Sequence, residues 1–333
     1  MEELLPWQRD AWSDLRQCKY AARFPHALLF TGIAGLGKRL FAGQLVRSLL
    51  CKTVDEVGLA CDSCQSCTLL AAGSHPDYLC VTPEEVGKPI KVDQIRALSK
   101  FLNHTSQFGG LKVALIDPAD RMNSNAANSL LKTLEEPPGD SLLILISAHP
   151  ASLPATVRSR CGEIKFKRPS DKQAIDWLAP QLGDTDPHLL LSLCHGAPLR
   201  ARAYASSNNL VRRQSLFKCF CDALAGQVDP VQAAKIWADG NLQEHLVWLI
   251  DWYADMIRLK IASVPPHILN LDLKHELQSL AARLSGRVLF HQLDSVLRMR
   301  ELETTQVNPE ILLEAFFSEC AQGYNWSSHL PSR

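Results

Sequence analysis

Short apolar runs alternate with amphipathic stretches through the first half of the chain. "HALLFTG" (26–32), "YLCVTP" (78–83), "KVALID" (112–117) and "LLILIS" (142–147) read as strands. "KRLFAGQLVRSLLC" (38–51), "VDQIRALSKFLNH" (92–104) and "SNAANSLLKTLEE" (124–136) carry helical periodicity. Continuous apolar strands separated by helices predict a parallel sheet covered on both faces, an α/β domain ending near Phe166. After Pro169 the strand pattern stops. "SDKQAIDWLAPQL" and "DPHLLLSLCHGAPLRARAYA" predict a small helical region to about Ser206, "SSNN" (206–209) a linker, and the remainder reads as helical throughout. In "NLQEHLVWLIDWYADMIRLK", Leu242, Leu246, Leu249, Ile250, Tyr253 and Ile257 share one face, which Trp248 and Trp252 widen. That width fits an internal helical core, with a flank of the bundle packed on other subunits as the sharper alternative. Asn308 and Pro309 are placed as N-cap and first helical residue of a last helix.

Composition changes this picture little. The 333 residues suggest two or three domains, and 46% hydrophobic with 21% charged side chains is ordinary for a soluble globular chain. No apolar run reaches the length of a membrane span. The opening "MEELLPWQRDAW" is acidic and tryptophan-bearing, unlike a secretory leader, so the expected location is the cytosol. With 35 basic and 35 acidic residues, overall charge gives no sign of autonomous DNA binding, although a local basic surface stays open. Eleven cysteines are many for a reducing compartment, where clustered thiols point to metal rather than disulfides. Seven of them are scattered and are expected to pack as small hydrophobes.

The sharpest chemistry lies in "LLFTGIAGLGKRLFA" (28–42). A strand, a glycine-rich turn and a helix make nearly the P-loop pattern, in which backbone N–H groups cradle phosphates and a lysine, here Lys38, reaches the terminal ones. Arg39 stands where a serine or threonine hydroxyl would bind Mg²⁺, and a cation cannot ligate a cation. In "VALIDPAD" (113–120), Asp117 ends a strand as a metal-holding Walker B aspartate would, but Pro118 replaces the acid that activates water. Two independent parts of a hydrolytic site are missing. Nucleotide binding without turnover stays open because Gly32, Gly35, Gly37 and Lys38 survive.

Cys51, Cys61, Cys64 and Cys67 form C-x9-C-x2-C-x2-C, a spacing that can close a four-sulfur structural zinc shell. Unliganded buried cysteines or an iron–sulfur cluster are the competing readings, the latter lacking the usual ferredoxin run. "DSCQSC" has no basic residue between its cysteines, so local stability or subunit contact is a more economical role than DNA contact. Further on, "LPATVRSRC" (153–161) presents Arg160 and, close by, Arg158. Arg160 could stabilise charge on a neighbour's γ-phosphate, but spacing alone favours the plain reading, a surface arginine or one paired with a neighbouring acid.

Together these motifs resemble bacterial clamp-loader subunits of DNA polymerase III, members of the AAA+ family. The residues that carry the likeness are "HALLFTGIAGLGK", the four cysteines, "GSHPDYLCV" (73–81), "NSLLKTLEEPP" (128–138) and "LPATVRSRC". It spans the whole length and is strongest to about residue 166. The tau/gamma motor subunits keep GK[ST] and an acidic Walker B pair, so "GKR" and "DPAD" point to a non-hydrolysing member. The resemblance implies an α/β AAA+ P-loop domain with a parallel sheet (1–166) carrying a zinc module at about 51–70, a small helical lid (167–206) and an all-α collar (207–333). It further implies Zn²⁺ on Cys51, Cys61, Cys64 and Cys67. Gly32, Gly35, Gly37 and Lys38 would be a relic P-loop able to hold ATP or ADP without turnover, and Asp117 a degenerate Walker B residue. Arg160 would be an arginine finger reaching a tau/gamma ATP site. Implied partners are tau/gamma and delta subunits and, through the assembly, the sliding clamp and primer–template DNA, within a DNA-directed DNA polymerase (nucleotidyltransferase) holoenzyme. The "ISAH" near Ser147 matches the family's sensor poorly, and Arg200 receives no role. The alternatives are an active AAA+ motor subunit of a clamp loader, and a DNA-binding accessory protein acting through the zinc module.

Overall fold

The computed structural model describes residues 4–20, 24–85, 87–183, 185–262, 265–302 and 307–326, the side chains of 18–20 and 322–326 excepted. These residues form two compact units: residues up to Trp177 together with Ala197–Arg200, and Leu178–Gly196 together with Ala201 onward.

In the first unit the elements follow one another as α1 (Arg9–Tyr20), β1 (Ala27–Thr31), α2 (Lys38–Leu50), α3 (Gln65–Ala71), β2 (Tyr78–Val81), α4 (Val92–Asn103), β3 (Lys112–Ile116), α5 (Ser124–Glu135), β4 (Ser141–Ser147), α6 (Ala155–Arg158), β5 (Gly162–Lys165) and α7 (Asp171–Leu178). The strands make one parallel sheet in the order β2-β3-β4-β1-β5. This is the parallel α/β sheet, covered on both faces, that the apolar runs predict. Period-two alternation divides the core into two halves. Ala27, Leu29, Ala114, Ile116, Leu143 and Leu145 face α4 and α5, whereas Leu28, Phe30, Val113, Leu115, Leu142 and Ile144 face α1 and α2. Because both faces are buried, the central strands read as unbroken hydrophobic runs. Caps fix the helix starts: the Asn123 side chain accepts from the Ala126 N–H at 2.8 Å, opening α5 just after the sheet.

The second unit is helical throughout its described residues: α8 (Pro187–Leu193), α9 (Pro198–Ala205, its first turn in the first unit), α10 (Asn209–Leu224), α11 (Pro230–Ala238), α12 (Leu242–Ile261), α13 (Lys274–Arg283), α14 (Gly286–Leu302) and α15 (Pro309–Trp326). Asp186 and Asp229 cap α8 and α11 ahead of a proline in the first turn, and the Glu310 N–H donates to Asn308, the expected last cap. The face read on α12 is buried, with Ile250 half-buried. Trp248 and Trp252 are inside as well, so α12 is covered nearly all round by α13, α14 and the α10–α11–α15 layer. Trp252 meets Phe217, Phe220 and Trp237 edge-on or tilted at centroid distances of 4.9–5.8 Å. The internal-core reading of this helix therefore holds.

One buried imidazole gives this bundle a pH signature. His245 is buried, and its Nδ1–H donates to the Trp237 carbonyl at 2.8 Å. Burial holds its pKa below the usual histidine value, with the Trp237 bond opposing. A folded pKa below the unfolded one adds stability above about pH 6.5 that drains away as the pH falls toward the folded value. The melting temperature should thus drop between pH 7.5 and 5.5. His245→Asn, which keeps a donor for Trp237 but cannot titrate, should flatten that part of the profile; an equally steep profile in the variant would remove His245 as its source.

Candidate functional site

The turn between β1 and α2 is closed by the chain's own groups. Gly35 has φ +86°, and a Cβ there would stand 2.7 Å from the Arg200 Cβ, so no side chain fits. The Leu199 N–H donates to the Gly35 carbonyl at 3.1 Å. From the other side the Gln8 amide donates to the Leu36 and Gly37 carbonyls at 3.1 and 2.9 Å, and the Trp7 indole N–H to Leu36 at 3.0 Å. Lys38, 6% exposed, does not reach outward: its ammonium donates to the Ile33 carbonyl at 2.8 Å and to the Gly32 carbonyl. Burial lowers its pKa, with Asp117 and then Asp120 pulling it back up.

Beside it, Arg39 points at the strand end. One guanidinium nitrogen lies 3.2 Å from a carboxylate oxygen of Asp117. Asp117 is set by its backbone, whose N–H donates to the Val81 carbonyl at 3.0 Å and so extends the β2–β3 pairing. Burial pushes its carboxyl above the usual range, while Arg39 and then Lys38 act in the opposite sense. Arg39 and Asp117 are thus joined directly, as cation and anion. Pro118 follows, and the next acid along, Asp120, is engaged by the Ala148 N–H at 3.1 Å and by His149 Nδ1 at 3.4 Å. Asp120 was overlooked in the sequence because the motif asks for an acid at position 118. Ser147 is buried and its hydroxyl accepts from the His149 N–H at 3.1 Å.

Arg160 follows α6. It is half-buried, forms an ion pair with Glu135 at the end of α5 at 2.7 Å, and donates to the Thr156 carbonyl at 2.9 Å. Glu135 is the neighbouring acid that spacing left open. Arg158 is exposed. Lys38, Arg39 and Asp117 come together, while the described partners of Arg160 belong to α5, α6 and the turn after α6.

The four cysteines converge. Their sulfur atoms lie within 4.8 Å of one another, with Cys51 3.5 Å from Cys61 and 3.9 Å from Cys64. A tetrahedral ion with bonds of about 2.3 Å sets its sulfurs about 3.8 Å apart, so the four thiols can hold one metal ion. Cys51 closes α2, Cys64 caps α3, and between them a small hairpin bridges Val54 to Ala60. That hairpin is tied down by α1 and α2: Trp12 donates to the Val57 carbonyl at 3.0 Å, Arg16 to Glu56 at 2.7 Å and Ser48 to Gly58 at 2.6 Å. Hydrogen bonds, from Thr53 first, draw the Cys61 thiol down to about 5, and burial pushes Cys67 up to about 12. Of the scattered cysteines, Cys194, Cys219 and Cys320 are buried and Cys80, Cys161 and Cys221 half-buried; Cys18 lies outside the described side chains.

Sequence reasoning used "GSHPDYLCV" only as a family mark. In the fold His75 and Asp77 are buried and hydrogen-bonded, His75 to Ser66, between two of the cysteines.

A family model described as "DNA polymerase III, delta subunit" matches residues 7–170, and one described as "DNA polymerase III, delta subunit, C terminal" matches 207–320. The DNA polymerase III subunit delta' of Pseudomonas aeruginosa is 36% identical, over 96% of this chain and 98% of its own length. The chain belongs to the DNA polymerase III delta-prime family. The delta' subunit of Escherichia coli K12 is 32% identical over 92% of both chains, and that of Haemophilus influenzae 27% identical over 94% of this chain and 95% of its own. Among the described residues no helix is long and apolar enough to cross a membrane.

Proposed function

We propose that this chain is the non-hydrolysing delta-prime subunit of the DNA polymerase III clamp loader. In that assembly it supports ATP-dependent loading of the sliding clamp onto primed DNA alongside tau/gamma and delta subunits. The observation that carries the reading is the Arg39–Asp117 ion pair. Phosphoryl transfer depends on Mg²⁺ held by a hydroxyl and a carboxylate and on a group that positions water. Here the hydroxyl is a guanidinium, the carboxylate is bound to it, and the water-positioning acid is a proline. Lys38, turned onto the Gly32 and Ile33 carbonyls, supports the same reading. ATP or ADP would enter only if that lysine turned outward.

In the proposed loader residues 1–166 carry the AAA+ module, residues 167–206 a helical lid, and the helices from 207 a collar that joins the ring. Arg160 serves in trans, offered to the ATP site of a neighbouring tau/gamma subunit. Cys51, Cys61, Cys64 and Cys67 hold a structural Zn²⁺, which when bound cross-links the end of α2 to the start of α3 and leaves no open coordination position. The clamp and primer–template DNA are met through the assembly.

Steady-state phosphate release by the purified chain, with Mg-ATP and with or without primed DNA, tests the silent-subunit reading. No turnover above that of a Lys38→Ala control is expected. Turnover that disappears in the control would make the chain an active motor subunit.

A further inference from the structure

Ser66 and His75 sit behind the cysteine cluster, and their hydrogen bonds have one consistent direction. The Asp77 N–H donates to His75 Nδ1 at 3.1 Å, so the ring proton lies on Nε2. Ser66 Oγ lies 2.8 Å from that Nε2 and 2.6 Å from the Leu50 carbonyl. A carbonyl only accepts, so the serine proton goes to Leu50, and the serine oxygen receives the proton of His75. The chain His75 → Ser66 → Leu50 is therefore fully directed. Leu50 immediately precedes Cys51 and Ser66 immediately precedes Cys67. This chain of bonds thereby links the residues next to the first and last cysteines, Cys51 just after α2 and Cys67 within α3.

The imidazole is itself held. Phe108 stacks on it at 5.2 Å with 27° between the planes. That ring is fixed because the Asp77 carboxylate accepts from the Gln107 and Phe108 N–H groups at 2.9 and 3.0 Å and from the Ser106 hydroxyl at 2.8 Å. Ser66, His75 and Asp77 are all at most 5% exposed. Cys61 and Cys64 are held by backbone donors to sulfur, the Cys64 N–H on Cys61 at 3.4 Å and the Cys61 N–H on Cys51 at 3.3 Å.

We propose that His75, through Ser66, is the positioning residue that pre-forms the metal site by holding Cys51 and Cys67 at metal-binding separation. This rests on the metal reading above. Groups behind a metal shell orient its ligands, and their loss typically weakens metal affinity about 10- to 100-fold. The test is zinc competition between the full-length chain and a chromophoric chelator, with the folded fraction followed by circular dichroism at the same temperature. His75→Ala should weaken zinc binding about 10- to 100-fold, and Ser66→Ala should shift it in the same direction. His75→Gln, which can still donate to Ser66, should recover most of the affinity. The double variant should lose less than the two single losses combined, because both act through one chain of bonds. If His75→Ala fails to fold, Ser66→Ala, which removes one oxygen, carries the test. Wild-type affinity in a folded His75→Ala or Ser66→Ala, or a His75→Gln as weak as His75→Ala, overturns the proposal. A wild-type chain that takes up no zinc overturns the metal reading and the proposal with it.

Discussion

Arg160→Ala is expected to fold and to assemble with tau/gamma and delta subunits, yet to slow clamp loading by about tenfold or more, given the factor of 10³–10⁵ a trans arginine supplies in GTPases. Folding is spared because the Arg160–Glu135 pair is a half-exposed surface ion pair, side chains 36% and 51% exposed, of a kind worth at most about 1 kcal/mol. The catalytic term differs in nature: a guanidinium delivered to a γ-phosphate neutralises charge that develops only in the transition state. Only the adjoining ATP site would lose it. If the ATP sites of the ring fire independently, bulk DNA-stimulated ATP turnover falls only by that one site's share; if they fire in sequence, it falls much further. Clamp-loading rate is the more decisive measurement, since it needs the complete cycle. Arg158→Ala removes the same charge from an exposed position two residues away and is expected to be neutral. A complex with Arg160→Ala that loads clamps at the wild-type rate would exclude the trans role.

What the sequence disclosed, and what it hid, follow one physical rule. β1, β3 and β4 are buried on both faces, so their unbroken apolar runs announced them, and Asn308 announced a helix start. β5, an edge strand like β2, was missed because it carries no apolar run. "GEIK" alternates half-buried and exposed positions and includes Glu163 and Lys165, which form an ion pair at 3.6 Å. α1 was missed as well, since only Trp12 and Leu15 of its described side chains commit to the core. The P-loop and the cysteine set were legible because each is local, a few residues at fixed spacing. Its closure was not legible. That Arg39 binds Asp117, 78 positions away, or that Arg200 closes on Gly35, depends on which strands lie side by side. Arg39 and Pro118 are legible in the sequence as departures from the motif, but only the fold shows Arg39 paired with Asp117. Ser66, His75 and Asp77 are quiet in sequence for the same reason: their partners include residues about 30 positions away, in the turn before β3.

Stripping the metal should undo part of the first unit and leave the rest. A strong chelator, or Cys61→Ser with Cys64→Ser, is expected to lower the melting temperature and to expose residues 51–67 to proteolysis. The helical second unit should keep its circular dichroism. The size follows from linkage. An ion bound only by the native state stabilises it by about 2.7 kcal/mol at one hundred times its dissociation constant and about 4.1 kcal/mol at one thousand times. The loss should be local because the buried residues of the two sheet cores, from Leu29 and Ile116 on one face to Phe30 and Phe41 on the other, lie outside 51–67, with only Leu59 packed in from that segment. The hairpin would also keep the hydrogen bonds from Trp12, Arg16 and Ser48, so it should loosen rather than detach. Without the ion, four sulfurs within 4.8 Å of one another must share protons, with Cys61 favouring the thiolate and Cys67 the thiol. The metal-free site is therefore open to oxidation in air, and a reductant belongs in the measurement so that a Cys–Cys disulfide does not mimic the ion. Elemental analysis of the purified chain, one zinc per chain before chelation and none after, should track the melting shift. Metal release with an unchanged melting temperature would reduce the cysteine cluster to a passive binding site with no part in the fold.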